Sequence, residues 1–140
     1  MASTIHVDIV SAEGALFDGN AARVIVPGMM GELGIAPRHA PLITALQSGE
    51  VRLLDEEGNE EFFFVSGGIL EIQPFNVTIL ADTALRADDI DEAAAEEAEK
   101  AAREALSGAA NHTDFSRAQS DLAEAAARLK VLRHLKAAKK

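Results

Sequence analysis

Val77-Thr78-Ile79-Leu80-Ala81-Asp82-Thr83-Ala84 gives way a few residues later to Asp91-Glu92-Ala93-Ala94-Ala95-Glu96-Glu97-Ala98. The first stretch favours extended backbone, and the second is built from the best helix formers, so the chain changes secondary-structure type between them. Counting outward in both directions places the change near Ala87. All four Pro and nine of the ten Gly precede it. Residues 1–87 hold 32 Val, Ile, Leu, Met or Phe, fifteen of them Val or Ile, whereas residues 88–140 hold eight of these but 16 of the 27 Ala. The expected architecture is an N-terminal β-sandwich or flattened barrel over residues 1–87, followed by a C-terminal antiparallel two-helix hairpin over residues 88–140.

The whole-chain figures narrow the function. At 140 residues and 14.8 kDa the chain has room for one ordinary domain, or a smaller one with an appendage, which excludes a large multidomain enzyme. Thirteen Lys plus Arg against 23 Asp plus Glu leave a net charge of −10, the wrong sign for gripping nucleic-acid phosphates. The absence of Cys removes disulfides, thiolate metal sites and cysteine nucleophiles, and fits a reducing compartment. No Lys or Arg precedes Arg23, no apolar run has the length of a signal peptide, and none approaches the ~20 residues that span a bilayer. A soluble intracellular protein is expected, reaching a membrane only through a larger complex.

In the first half Ile5, Val7 and Ile9 alternate with His6 and Asp8, and Val24 and Val26 alternate with Arg23 and Ile25, the period of half-buried strands. Turns are expected at Gly19-Asn20, Pro27-Gly28, Gly58-Asn59, Gly67-Gly68 and Pro74-Phe75-Asn76, separating strands such as Glu50 to Leu54, Glu61 to Val65, Ile69 to Ile72 and Val77 to Leu80. The acidic run Asp55 to Glu61 reads as a solvated hairpin tip. In the second half Asp89 is placed to cap a helix with Glu92 reaching back, and the apolar face runs Ile90, Ala94, Ala98, Ala101, Ala102, Ala105, Leu106. A polar turn from Gly108 to Thr113 precedes a second helix, capped by Thr113 or Asp114, with Phe115, Ala118, Leu122, Ala125, Ala126, Leu129 and Leu132 on one face. So few large apolar side chains make the hairpin conditional on docking, and a conditional element is a candidate switch.

Charge is partitioned within the hairpin. Residues 88–104 carry eight acids against Lys100 and Arg103, while residues 116–140 carry Arg117, Arg128, Lys130, Arg133, Lys136, Lys139 and Lys140 against Asp121 and Glu124. Symmetric folding about the turn leaves residues 133–140 beyond the partner helix, either as a solvated terminus or as a basic docking end for an acidic protein surface.

Chemistry is sparse. Gly28, Gly31 and Gly34 recur every third residue, but no Lys-Ser/Thr follows, so they read as turn residues and not as a phosphate cradle. His6, His39, His112 and His134 are scattered without paired-ligand spacing, and Asp88, Asp89 and Asp91 lack the Gly and later Glu of a calcium loop; no metal site is expected. His39 with Glu32 would be an acid/base pair, but no nucleophile or oxyanion motif accompanies them. Neither catalytic residues nor a cofactor are expected.

Three segments carry a family resemblance: Gly31-Glu32-Leu33-Gly34-Ile35-Ala36-Pro37-Arg38-His39-Ala40-Pro41-Leu42, then Ser66-Gly67-Gly68-Ile69-Leu70-Glu71-Ile72-Gln73-Pro74, then Asn76-Val77-Thr78-Ile79-Leu80-Ala81-Asp82-Thr83-Ala84. In that order, ahead of an Ala-rich hairpin, they resemble the epsilon subunits of bacterial F-type ATP synthases. The resemblance implies a non-catalytic central-stalk part of a proton- or sodium-translocating complex, held at the cytoplasmic face of the bacterial inner membrane through its partners. Its sandwich would link the gamma subunit to the c-ring, with Gly31, Glu32, Leu33 and Gly34 facing ring loops and His39 near the gamma and ring contact. Its hairpin would extend and block hydrolysis, with Arg128, Lys130, Arg133 and Lys136 meeting an acidic segment of the beta subunit beside alpha; Arg117, near the turn, is not in that set. Some members bind ATP through Ile or Leu, Asp, two variable residues, Arg and Ala. Here Asp91 matches but Ala94 replaces the Arg, and Ala101 and Glu124 supply no cation, so nucleotide binding is expected to be weak or absent. The competing readings are a free-standing nucleotide-sensing module and a small hydrolase using His39.

Overall fold

The computed structural model describes residues 3–138, which leaves the Lys139 and Lys140 expectations outside the described residues. Eight strands come first: β1 (Ile5–Ser11), β2 (Gly14–Ala21), β3 (Arg23–Gly28), β4 (Gly31–Ile35), β5 (Leu42–Leu54), β6 (Glu60–Gln73), β7 (Asn76–Ala81) and β8 (Ala84–Arg86). A 3-10 turn at Ala87–Asp89 leads to α1 (Glu92–Ser107) and α2 (His112–Ala138). The strand order is β2-β1-β7-β6-β5-β3-β4, with β8 also paired to β6. Every pair is antiparallel except β1 with β7.

Two long strands turn this sheet into a sandwich. β5 and β6 are paired along their lengths, but one end of the pair (Leu42–Leu46 with Gly68–Ile72) continues into β7, β1 and β2. The other end (Ser48–Leu54 with Glu60–Ser66) continues into β8, β3 and β4. The corner in β6 falls at Gly67 and Gly68, whose φ values are +114° and +139°. A Cβ on Gly68 would collide with the Leu80 carbonyl oxygen and crowd Ala81 Cα. Gly67-Gly68 is therefore a bend inside one strand and not the expected turn between two. Gly19-Asn20 also departs from expectation: it lies within β2, opposite Val7 and His6.

Alternation fills the space between the layers. Ile5, Val7 and Ile9, Val24 and Val26, Val51 and Leu53, Leu70 and Ile72, and Val77 and Ile79 all point into one buried cluster with Phe63 and Val65. The acidic tip is solvated as expected. Asp55 accepts bonds from the Asn59 side chain and from the Asn59 and Glu57 amides, and these hold its carboxyl below the usual range.

The hairpin forms with different caps from those expected. Asp91, not Asp89, caps α1, its Oδ1 accepting from the Ala94 amide at 3.1 Å; Asp89 is used up in the 3-10 turn. Asn111, not Thr113 or Asp114, starts α2 by accepting from the Asp114 amide at 2.8 Å. With the cap two residues later, Ala95 is buried together with the expected Ala102, and Ala94 is left exposed. In α2 the buried set is Ala118, Ala125, Val131 and Leu132, and Phe115 is exposed. Val131 was missing from the expected face because α2 has two neighbours: α1 on one side and strands β5 and β6 on the other.

The corner generates a test. Gly68→Ala should lower sandwich stability by about 2 kcal/mol or more, because it combines a positive φ with a backbone collision. Urea unfolding of the two proteins checks it; an unchanged midpoint would contradict the corner geometry.

Candidate interaction surfaces

The two outer faces of the sandwich differ. On the layer containing β1 and β7, Ala45 is opposite Ile69, Ile69 opposite Leu80, and Leu80 opposite Val10, which makes a row across four strands. Ile43 shares that face two residues from Ala45, and the Met29 amide bonds to the Ala45 carbonyl, bringing the Met29-Met30 turn alongside. Met29, Met30, Ile43, Ile69 and Leu80 are each at least half exposed. A set of large apolar side chains on one face without cover is the signature of a docking surface.

The other outer face is covered by the chain itself. Phe62 and Phe64 of β6 point away from the sandwich core and are buried with Ala87, Ile90, Val131 and Leu132, backed by Leu85, Ala127 and Leu135. The Arg128 guanidinium lies over the Phe64 ring at 4.9 Å, and His134 Nδ1 donates to the Glu50 carboxylate at 2.7 and 2.9 Å. The α1–α2 seam is made of alanine and leaves a shallow hollow lined by Ala98, Ala101, Ala105, Asp121 and Arg128. Its single cation already bonds Glu124 at 3.0 Å.

Gly31, Glu32, Leu33 and Gly34 form β4, at one edge of the sheet order. Gly31 takes a positive φ as a turn residue. Glu32 is mostly exposed, with Arg52 Nη2 at 4.0 Å. His39 lies in the following loop, where Nδ1–H donates to the Ala40 carbonyl at 2.8 Å. No bond joins His39 to Glu32 among the described residues, which leaves the acid/base pair without geometry. Asp91 is occupied as a helix cap, and Ala94 offers nothing polar beside it.

The basic set divides. Arg128 is taken by Phe64 and Glu124, and Lys136 Nζ is 2.7 Å from Glu92 Oε2. The basic end therefore lies beside the first turn of α1 up to Lys136, not beyond its partner helix. Lys130 and Arg133 remain exposed and border a hollow of about 460 Å³ between α2 and the sandwich, together with Glu32 and Glu50.

One cluster is completed only across a strand pair. His6 Nε2 lies 2.9 Å from Asp18 and 3.3 Å from Asp8, and its Nδ1 is 3.3 Å from Asn20 Oδ1. Burial is the largest single influence and opposes the charge, but the Asn20 bond and the Asp8 and Asp18 carboxylates together outweigh it and hold the imidazole above its ordinary range. Asp8 is its neighbour two residues along β1, whereas Asp18 and Asn20 come from the β1–β2 pairing, which only the fold reveals.

Comparison with known proteins agrees with this layout. The family model for the ATP synthase delta/epsilon chain beta-sandwich domain matches residues 4–87, and that for the delta/epsilon long alpha-helix domain matches residues 88–133. The chain is 56% identical over 134 residues to the ATP synthase epsilon chain of Alkalilimnicola ehrlichii, covering 96% of each. It is 57% identical over 136 residues to that of Nitrosococcus oceani, covering 97% of each. In fold it resembles a chain of the Euglena gracilis mitochondrial ATP synthase, in a structure comprising OSCP, F1 and the c-ring. There the TM-score is 0.74 at 19% identity, with 98% of this chain and 82% of that one covered.

The His6 cluster generates a second test. A raised folded pKa means that its stabilisation is present in acid and is lost as pH rises through the folded value. His6→Gln should therefore cost more stability at about pH 5.5 than at about pH 8.5. Denaturant midpoints at both pH values check the sign, and an equal loss at both would contradict it.

Proposed function

The chain belongs to the ATP synthase delta/epsilon family as a bacterial-type epsilon chain, and from that membership we propose a non-catalytic rotor role with a mobile brake. The sandwich (residues 1–87) joins a gamma-type coiled coil to the c-ring, and the hairpin (residues 88–140) regulates hydrolysis. The observation that carries the first part is the uncovered apolar row on the β1–β7 layer, since burying it requires a partner that the described residues do not supply. We assign that row to gamma. The β4 edge with Gly31, Glu32, Leu33 and Gly34, continuous with the row through Met29, faces the ring, with His39 at the junction. Arg52 beside Glu32 keeps this acid oriented, and the ring contact depends on salt.

The second part rests on the seat of the hairpin. α1 packs on α2, and α2 meets the sandwich through a small apolar cluster, so the helices can leave as a unit and unfold no strand. Release would free Arg128, Lys136 and their exposed neighbours Lys130 and Arg133 to meet an acidic segment of beta, beside alpha. No helix among the described residues is long and apolar enough to cross a membrane, and the chain reaches the cytoplasmic face of the bacterial membrane through the complex. With Ala94 at the Arg position, nucleotide is not its regulator.

Hydrolysis by the alpha, beta and gamma assembly should fall on adding the full chain and stay unchanged with residues 1–87, while both co-elute with it. Co-elution without inhibition by either would remove the brake, and loss of co-elution would remove the anchor. Ile69→Asp should weaken association by about tenfold or more. ATP at about 1 mM should leave the melting temperature unchanged; a saturable rise would restore nucleotide sensing.

A further inference from the structure

Beneath α2 the outer face of the sandwich is short of positive charge. Arg52 is 3.7 Å from Glu50 through Nε, 3.7 Å from Glu60 through Nη1 and 4.0 Å from Glu32 through Nη2, so one guanidinium serves three carboxylates. Its Nε is buried without a hydrogen bond. Glu50 is the most enclosed of the three: α2 lies over it, and its side chain is only 7% exposed. Arg52 approaches at ion-pair distance only, and the hydrogen bonds to both carboxylate oxygens come from His134 of α2. The imidazole is held at the edge of the apolar seam, 6.1 Å from the Phe62 ring.

We propose that Glu50 and His134 form a proton-sensitive latch that holds the hairpin against the sandwich. The inference rests on the reading of the hairpin as a mobile element. A carboxylate screened from water needs a cation or strong donors, and the protonated imidazole supplies both at once. The neutral imidazole supplies a hydrogen bond alone. When α2 departs, Glu50 returns to solvent and the need disappears, so the proton favours the docked state.

The other charged groups around the pair do not provide this sensitivity. β4, β5 and β6 contribute Glu32, Arg52 and Glu60, and α2 itself contributes Lys130 and Arg133. Near Leu135 the adjoining hollow is bordered by Glu61, Arg86 and Asp88, and across the hairpin Glu92 is paired with Lys136. Of these residue types only imidazole ordinarily changes charge near neutrality. Acid therefore favours the docked hairpin, and alkali favours release.

The chain has no cysteine, so Ala12→Cys and Ala110→Cys, both at exposed positions, allow dye labelling of sandwich and hairpin before reconstitution with alpha, beta and gamma. Energy transfer then reads the docked-to-released ratio in the assembled complex. The ratio should fall by about three- to tenfold from about pH 6 to about pH 8. Glu50→Gln and His134→Gln should each flatten that dependence; both retain His6, His39 and His112, which tests these as alternative sources. A ratio independent of pH in the parent, or full dependence in both variants, overturns the latch. Hydrolysis measured in parallel separates the two readings: a ratio that moves with pH while hydrolysis does not follow supports the latch and defeats the brake. Circular dichroism shows whether each variant keeps its sandwich, and two independent substitutions guard against one that does not.

Discussion

Strand β6 is apolar on both faces over Phe62, Phe63, Phe64 and Val65, and much of the remaining organisation follows from that constraint. Phe63 and Val65 fill the sandwich, so Phe62 and Phe64 must point outward. Two exposed phenylalanines side by side on a sheet would invite association, and α2 is what removes them from water. Val131 and Leu132 of α2 meet them, and Ile90 closes the seam from the segment between strands and helices. Each large side chain so buried is worth about 2 kcal/mol, enough in sum to hold a helix that could not stand alone.

The sandwich thus has one face with an internal cover and one face without. The covered face carries the polar pair Glu50 and His134 at the edge of its apolar seat. The uncovered face keeps Ile43, Ile69 and Leu80 in the open. Under the proposed rotor role this asymmetry would separate two tasks: attachment through a broad apolar row, and regulation through a small seam. Neither requires a catalytic group, and the scattered histidines are accounted for as local partners of Asp8, Asp18, Ala40 and Glu50 or, for His112, as the start of α2.

Much of the fold was legible in the sequence because composition alone separates the Val- and Ile-rich half from the Ala-rich one. Period-two alternation identified the inward residues of β1 and β3 without any tertiary information. What failed was punctuation: Gly67-Gly68 looks like a turn, but only the approach of Leu80 and Ala81 shows that it must be a corner within a longer strand. The caps shifted for a similar reason, since four acids lie close together at the start of α1 and the 3-10 turn takes two of them, leaving Asp91 as the cap. The surfaces were less legible than the fold. Phe62-Phe63-Phe64 breaks the alternation and was the available sign of a covered outer face. The His134–Glu50 contact spans 84 positions and left no local trace.

The central claim is that the hairpin regulates by leaving its seat over Phe62 and Phe64. The most direct measurement bridges cysteines introduced at positions 50 and 134 with a short thiol-cleavable cross-linker, then follows ATP hydrolysis by the assembled complex before and after cleavage. If undocking is the brake, the bridged chain binds without inhibiting, and cleaving the bridge restores inhibition. Equal inhibition by the bridged and cleaved forms would contradict the account.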